Sequence, residues 1–332
     1  MTTLALLPDP ATPLDHETAA QAFADILDGH VADAEVAAFL TVMAERDETA
    51  IEIAAAARVL RQRMIAISAP PGAIDVCGTG GDGAHSLNIS TAVAIVVAAA
   101  GVPVAKHGNR AASSRAGAAD TLEALGLDLD RAAALGEESL AELGIAFLFA
   151  QAHHPALGRL APVRRAIGRR TIFNLLGPLA NPARVTRQLI GVARVDFLPT
   201  IATALELLGA EAAMVVAGEE SLDELSIAGP SRIVALGACG TGEERIDPAA
   251  AGLPTHPLTA LRGGEPADNA AALRALLRGE KGAYRDAVLL NAAAALRVAA
   301  RADDWADGIA IAAEALDGGA AYRLLDRWIA FR

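Results

Sequence analysis

Between residues 17 and 64 apolar side chains return every three or four positions. Ala20, Phe23, Ile26 and Leu27 share one helical face, and Gly29 stops that run. A second helix fits Ala34 to Glu45, with Asp33 as its cap and Val36, Phe39, Leu40 and Met43 inward. The third opens on a capping box, Thr49-x-x-Glu52, and carries Ile53, Ala57 and Leu60 on one stripe to about Met64. Helices this short are marginal alone, so the three must bundle. Before them, residues 1 to about 14 are rich in proline and small residues and read as a loosely held arm. After them, Ser68-Ala-Pro-Pro-Gly72 reads as a linker.

Beyond the linker the period changes. Short apolar runs at Ile74 to Cys77, Val102 to Ala105, Ile145 to Phe149, Leu189 to Ala193, Ala213 to Ala217 and Arg232 to Leu236 alternate with alanine-rich helical stretches. That alternation predicts a mainly parallel sheet with helices on its faces and a ligand site at the carboxyl ends of the strands. The basic, helix-like Val163-Arg-Arg-Ala-Ile-Gly168 interrupts it within Leu160 to Pro182. Residues 237 to 268 are glycine- and proline-rich and carry little functional signal; Ala270 to Leu277, Tyr284 to Arg301 and Trp305 to Leu316 read as closing helices. The fold class is therefore α/β: a small N-terminal helical domain (1–70) and a larger, mainly parallel-sheet domain (71–332).

Composition narrows this picture. At 332 residues the chain exceeds the usual single domain, and 53% apolar content supplies an ample core built from small aliphatic side chains. A net charge of −12 argues against a nucleic-acid surface. Two distant cysteines, Cys77 and Cys239, suggest buried free thiols rather than a metal site or disulfide framework. The longest apolar run, Ala92 to Ala105, is broken by Gly101 and Pro103 and is too short to span a bilayer, so a cytoplasmic protein is expected.

The chemistry concentrates in Asp75-Val-Cys-Gly-Thr-Gly-Gly-Asp-Gly-Ala-His-Ser-Leu-Asn-Ile-Ser-Thr91. A strand leads into Gly78, Gly80, Gly81 and Gly83, then into a polar segment that opens an apolar helix, Ala92 to Ala100. Such a turn presents backbone N–H groups and a positive helix end to an anion, and phosphate is the expected tenant. Gly78, Gly80 and Gly83 also spell G-x-G-x-x-G, but a dinucleotide site needs an acidic residue about 20 positions on. Here the next strand ends in Lys106-His107-Gly108-Asn109-Arg110, which is basic. No G-K-[ST] closes the loop either, so the Walker pattern fails. Asp82 would repel a bare phosphate unless a cation or ligand hydroxyl stands between them. A sugar phosphate or a metal-bound pyrophosphate fits better. Lys106 and Arg110 then add positive charge, and Ser113 and Ser114 hydroxyl donors, ahead of a further helix at Ala116 to Leu125.

With both loops in view, Asp75 to Asp120 closely resembles the anthranilate phosphoribosyltransferase family, in its GTGGDG loop, its N-[IL]-S-T segment and its KHGNR-x-x-SS segment. The resemblance continues through Phe173-Asn-Leu-Leu-Gly-Pro-Leu-Ala-Asn-Pro182, Leu222-Asp-Glu-Leu-Ser226 and Val288-Leu-Leu-Asn-Ala-Ala-Ala-Ala-Leu296. It implies a nucleoside phosphorylase/phosphoribosyltransferase type of fold in which about 160–182 crosses back to the helical domain, leaving the cleft between domains. By this resemblance phosphoribosyl diphosphate meets Gly78, Gly81, Asp82, Ser86, Asn88, Ile89, Ser90, Thr91, Lys106, His107, Gly108, Asn109, Arg110, Ala111, Ala112, Ser113, Ser114 and Ala118. Arg164 would meet the anthranilate carboxylate with Asn109 near the amine, and Ser90, Asp223 and Glu224 would hold two Mg²⁺ ions. Ser86 stands where threonine is frequent, Ala118 where serine is common, and Gln151-Ala152 where proline often follows; the last bears on the acceptor pocket. A homodimer through the helical domain is also implied.

Each of these residues has a plainer reading. Acidic pairs are common here, and Glu137-Glu138, Glu219-Glu220 and Asp303-Asp304 read as solvated; spacing alone would not single out Asp223-Glu224. One of Ser86, Asn88, Ser90 and Thr91 suffices as a helix cap, but four exceed what a cap needs. Arg164 and Arg165 fit a solvated helix face, and His107, His153 and His154 fit hydrogen-bonding spacers better than a general base. The reaction implied by the resemblance transfers the phosphoribosyl group to anthranilate, the second step specific to tryptophan biosynthesis; the acceptor is a neutral amine, so no catalytic base is assigned. A pyrimidine nucleoside phosphorylase would carry a K-x-S-T-G-G loop, and a nucleic-acid-binding relative would be basic and lack these motifs.

Overall fold

The computed structural model describes residues 5–111 and 115–332. Ala112, Ser113 and Ser114, three of the expected diphosphate contacts, lie outside the described residues. Three helices open the chain: α1 (His16–Asp28), α2 (Asp33–Glu45) and α3 (Ala50–Gln62). Asp15 caps α1 by accepting from the Thr18 amide, and Gly29, at φ +84°, ends it. Asp33 is not a cap, as the sequence had suggested: Ala32 holds that position without a side-chain bond, and Asp33 opens the first turn, where its charge faces the positive helix end. The capping box of Thr49 and Glu52 forms as expected.

Glu52 does more than cap. Fully buried, its carboxylate accepts from the amides of Leu14 (2.9 Å) and Thr49 (2.9 Å) and from the Arg46 guanidinium (2.5 and 3.1 Å). Arg46 Nε also donates to the Pro10 carbonyl (2.8 Å), and the Ala5 amide donates to the His30 carbonyl (2.8 Å). The expectation of a loose arm is thus corrected for residues 5 to 14, because a buried ion pair anchors them.

The helical core does not close on itself. Phe23 packs edge-on against Phe39 of α2 and against Phe173, at centroid distances of 6.2 and 6.1 Å. Leu160, Val163, Ile172, Leu176 and Leu179 join the same cluster, as do Ile190 and Val215 from the sheet. Chain that follows three strands of the sheet therefore fills the space between the bundle and one sheet face.

Among the described residues seven strands form the sheet: β1 (Ile74–Gly78), β2 (Val104–Gly108), β3 (Ile145–Phe149), β4 (Arg187–Gly191), β5 (Ala212–Gly218), β6 (Ser231–Gly237) and β7 (Gly242–Ile246). Their order is β3-β2-β1-β4-β5-β6-β7; the pairs from β3 through β5 are parallel, while β6 and β7 are antiparallel. After β3 the chain returns to the other side of β1, so the carboxyl ends of β1 and β4 flank the switch point where such sheets bind ligands. On the opposite face α4 (Ile89–Ala99) is almost wholly buried beneath the helices Ala283–Val298, Trp305–Asp317 and Ala320–Ala330.

Several boundaries differ from the sequence reading. Pro103 cannot donate to a ladder, and β2 begins after it and runs through Lys106 and His107, which are strand residues, not loop residues. Pairing of Cys77 with Ile190 sets β4 two residues earlier than its apolar run suggested. The strand β7 was missed: Glu243, Glu244 and Arg245 make it a charged edge with only Ile246 buried. The helix Ala320–Ala330 was also passed over, although Ala321, Leu324, Leu325 and Trp328 fall at helical spacing. Both cysteines are free, but Cys239 is half-buried rather than buried. Among the described residues no helix is long and apolar enough to cross a membrane.

Burial pushes the Glu52 carboxyl up, but the bonds from Arg46, Thr49 and Leu14 outweigh it and leave the pKa below its usual 4.5. A lowered folded-state pKa stabilises above the unfolded value and is lost as the pH falls through the folded one. Glu52→Ala, which strands a half-buried Arg46, is expected to cost about 3 to 5 kcal/mol near neutral pH. The gap between denaturant melts of parent and variant should narrow as the pH falls from the usual 4.5 through the lower folded-state value; an undiminished gap there would refute the pairing.

Candidate active site

Two glycines end the strands at the switch point. A Cβ on Gly78 would lie 2.2 Å from the Asp223 carboxylate, and one on Gly191 would lie 1.6 Å from the Asp223 carbonyl oxygen. The segment Ser221–Ser226, reached from the end of β5, therefore rests directly on β1 and β4, and only glycine leaves room for it. Once there, Asp223 accepts from the Gly80 amide (2.7 Å) and Glu224 from the Ser90 amide at the start of α4 (3.1 Å). Both amides, which the sequence reading offered to a phosphate, hold the protein's own carboxylates instead. The amides of Gly81, Asp82 and Gly83 have no partner among the described residues.

Electrostatically the cluster is one-sided. Burial and the facing Asp82 carboxylate raise Asp223 to about 7, and burial and Asp223 push Glu224 well above its ordinary value. Lys106 is the opposing charge: fully buried, it donates to the Val76 carbonyl (2.7 Å) and to the Ser90 hydroxyl (3.2 Å). Three acidic groups facing one ammonium leave a site short of positive charge. Thr91, one turn into α4, is buried with a hydroxyl that has no hydrogen-bond partner among the described residues.

Asn88 precedes α4 but does not cap it with its side chain. Its amide donates to the Ala116 carbonyl (3.2 Å) and accepts from Thr121 and from Asn269 (2.9 Å), joining the glycine loop to α5 (Ala118–Leu125). Gly108 faces Ala118 and the Phe147 ring so closely that a Cβ would meet them at 3.3 and 2.7 Å. Beside it, the Asn109 carbonyl accepts from Ala119, and the Ala111 amide donates to Asp120 (2.9 Å). The Arg110 guanidinium is engaged by Asp120 (2.9 Å) and Glu123 (2.8 Å) and is not directed at the loop by any bond.

Arg164 stands on the helix Ala161–Ile167, which packs on α2. It is half-buried, lies below its ordinary pKa through desolvation, and makes no ion pair among the described residues. The three histidines, read from the sequence as spacers, are all buried. His107 Nδ1 lies 2.8 Å from the Gly177 carbonyl, His153 Nδ1 lies 2.7 Å from the Ile65 carbonyl, and the His107 and His154 rings sit 5.0 Å apart. Burial lowers His107 to about 3 and His154 to about 4, so neither is tuned to take a proton near neutral pH.

One region was undervalued. The segment 261–269, read as uninformative, brackets the glycine loop: the Leu87 amide donates to the Leu261 carbonyl (2.8 Å), the Gly263 amide to the His85 carbonyl (2.8 Å), and Ser86 bridges Arg262. Gly263-Gly264 followed by Asn269 was the only local signal for it.

Residues 70–322 match the glycosyl transferase family, a/b domain, and residues 10–64 its helical bundle domain. The chain is 61% identical over 327 residues to an anthranilate phosphoribosyltransferase of Novosphingobium aromaticivorans, covering 98% of this chain and 99% of that one. The chain belongs to the anthranilate phosphoribosyltransferase family. The family's solved structures agree in fold. That of Thermus thermophilus superposes with a TM-score of 0.90 at 45% identity, covering 97% of this chain and 96% of that one. The Saccharomyces cerevisiae enzyme, solved in complex with PRPP and Mg, gives 0.86 at 28% identity, covering 96% and 93%.

The close approach of Gly78 and Gly191 to Asp223 fixes where the acidic pair sits. Gly191→Ala is expected to retain the sheet by circular dichroism while losing about 100-fold or more in turnover, since misplacement by about 1 Å has that effect. Parental turnover would show that the close approach is dispensable.

Proposed function

We infer that this chain transfers the phosphoribosyl group of 5-phosphoribosyl 1-diphosphate to the amine of anthranilate, releasing pyrophosphate. The observation that carries the site assignment is the convergence of the Gly78–Gly83 loop, Ser90, Lys106 and the Asp223-Glu224 pair at the β1/β4 switch point. The loop amides of Gly81, Asp82 and Gly83, without a partner among the described residues, and the Lys106 ammonium suit the diphosphate. Asn88 and Ala118 shape the ribose phosphate end, with Gly108 to Ala111 beside them. Ser86, Ile89 and Thr91 complete that wall.

The acidic donor set fits Mg²⁺, because half-buried carboxylates short of positive charge favour a small hard cation completed by phosphate oxygens. Ser90, Asp223 and Glu224 would hold it, as two ions, and when bound it would neutralise charge developing on the leaving pyrophosphate. The protein's own share is placement. The Gly80 and Ser90 amides orient the two carboxylates, Lys106 offsets charge beside Ser90, and Arg164, unpaired among the described residues, receives the anthranilate carboxylate with Asn109 near the amine. Anthranilate's amine is neutral, and the low His107 and His154 pKa values are in keeping with a reaction that needs no strong base. Homodimerisation through the helical domain, for which the 45% exposed Ile51 offers apolar surface, and a cytoplasmic setting complete the reading.

Anthranilate fluorescence should fall when the protein, phosphoribosyl diphosphate and Mg²⁺ are combined; a constant signal would refute the assignment. Asp223→Asn with Glu224→Gln is expected to reduce turnover by about 100-fold or more with the fold intact, and near-parental rates at limiting Mg²⁺ would remove these residues from the metal site. Arg164→Lys, which replaces a planar fork by a point charge, should raise KM for anthranilate about 10- to 100-fold and leave KM for the diphosphate substrate unchanged. Equal effects on both would place Arg164 elsewhere.

A further inference from the structure

The strands β1 and β2 pair at one register position, Ile74 with Val104, and then part. Past that point three side chains take over what a parallel ladder would supply. The Asp75 carboxylate accepts from the His107 amide (3.0 Å), Lys106 Nζ donates to the Val76 carbonyl (2.7 Å), and Asn181 Nδ2 donates to the Ala105 carbonyl (2.8 Å). Backbone groups this deeply buried must be satisfied, so these side chains are what permits the strands to separate.

Asn181 is the hub of this arrangement. It is 2% exposed, its second Nδ2 proton goes to the other Asp75 oxygen (2.7 Å), and its carbonyl oxygen accepts from Ala183 (2.8 Å). Among side chains of this size only an amide offers two donors and an acceptor at once. The same turn reaches His107 through the Gly177 carbonyl and Gln188 through the Pro178 carbonyl (2.7 Å). Residues 173–182, a motif with no role in the reaction as described above, thus lie against β2, the strand that ends in Lys106-His107-Gly108.

We propose that Asn181, acting through Asp75, is a positioning residue that sets the separation of β1 from β2 and thereby the placement of the Lys106–Asn109 segment toward both substrates. The inference rests on the phosphoribosyl transfer reading, which gives that segment its substrates. In the parent, Asp75 has its negative charge met by one amide proton from each of two neighbours and by the nearby Lys106; Cys77, with a thiol 3.5 Å away, is the other ionisable group facing it. Replacing the Asn181 amide by a carboxyl sets two acids against each other, a pair that bonds when it shares a proton and repels when it does not.

Asn181→Asp is therefore compared with the parent by circular dichroism and by steady-state kinetics at about pH 6 and about pH 8.5. The expected result is a folded protein whose kcat/KM falls about 100-fold at the higher pH, in kcat and in both KM values, with partial recovery at the lower pH that the parent does not share. Asp75→Asn, which keeps an acceptor for His107 but turns an amide against Asn181, is expected to lose about 10-fold without that pH dependence, and it carries the test if the first variant does not fold. Folded variants whose kcat and KM values stay within about twofold of the parent, or rates that fall only as the folded fraction falls, would overturn the proposal. A parent that forms no product would count against the transfer reading instead.

Discussion

Everything at the carboxyl edge of the sheet depends on how closely one backbone can approach two others. The carbonyl and side chain of Asp223 occupy the space where β-carbons of Gly78 and Gly191 would be. That contact brings a segment from the end of β5 across β4 onto β1, and it delivers Asp223 to the Gly80 amide and Glu224 to the first turn of α4. Without it the acidic pair would be two more charges on an acidic surface. With it they are half-buried, oriented by backbone amides and short of a counter-charge.

A second constraint is electrical. Burying Asp75 and Lys106 beside the half-buried Asp223 and Glu224 would be ruinous if each were unpaired. The chain resolves part of the problem internally: Asp75 takes an amide proton from each of two neighbours, and Lys106 takes a carbonyl and a hydroxyl. The remainder, on Asp82, Asp223 and Glu224, is left unresolved at the cleft.

The helical bundle contributes by sharing its core. Phe173 and its neighbours wedge into the cluster of Phe23 and Phe39, while a few residues later the same segment braces β2 through Gly177 and Asn181. A single stretch of chain thereby links the bundle carrying Arg164's neighbours to the strand carrying Lys106. The buried knot of Arg46 and Glu52 keeps the preceding arm and the α2–α3 turn in register with that core.

Much of this was legible in the residues. Period-3.6 stripes marked the three opening helices, apolar runs marked six of seven strands, and the glycine loop with its basic companion marked an anion site without any coordinates. What escaped did so for physical reasons. The strand β7 is charged because it is an edge, so it carries no alternation; the boundaries of β2 and β4 depend on pairing partners far away in sequence; and the importance of 261–269 lies wholly in whom it touches. Side-chain chemistry and local period are properties of neighbouring residues, so the sequence by itself determined which groups were available: carboxylates, an ammonium, loop amides, a guanidinium. Which of those groups meet, which amides are already taken and which charges stay uncompensated follow from contacts between residues more than a hundred positions apart, and only the tertiary structure decides those.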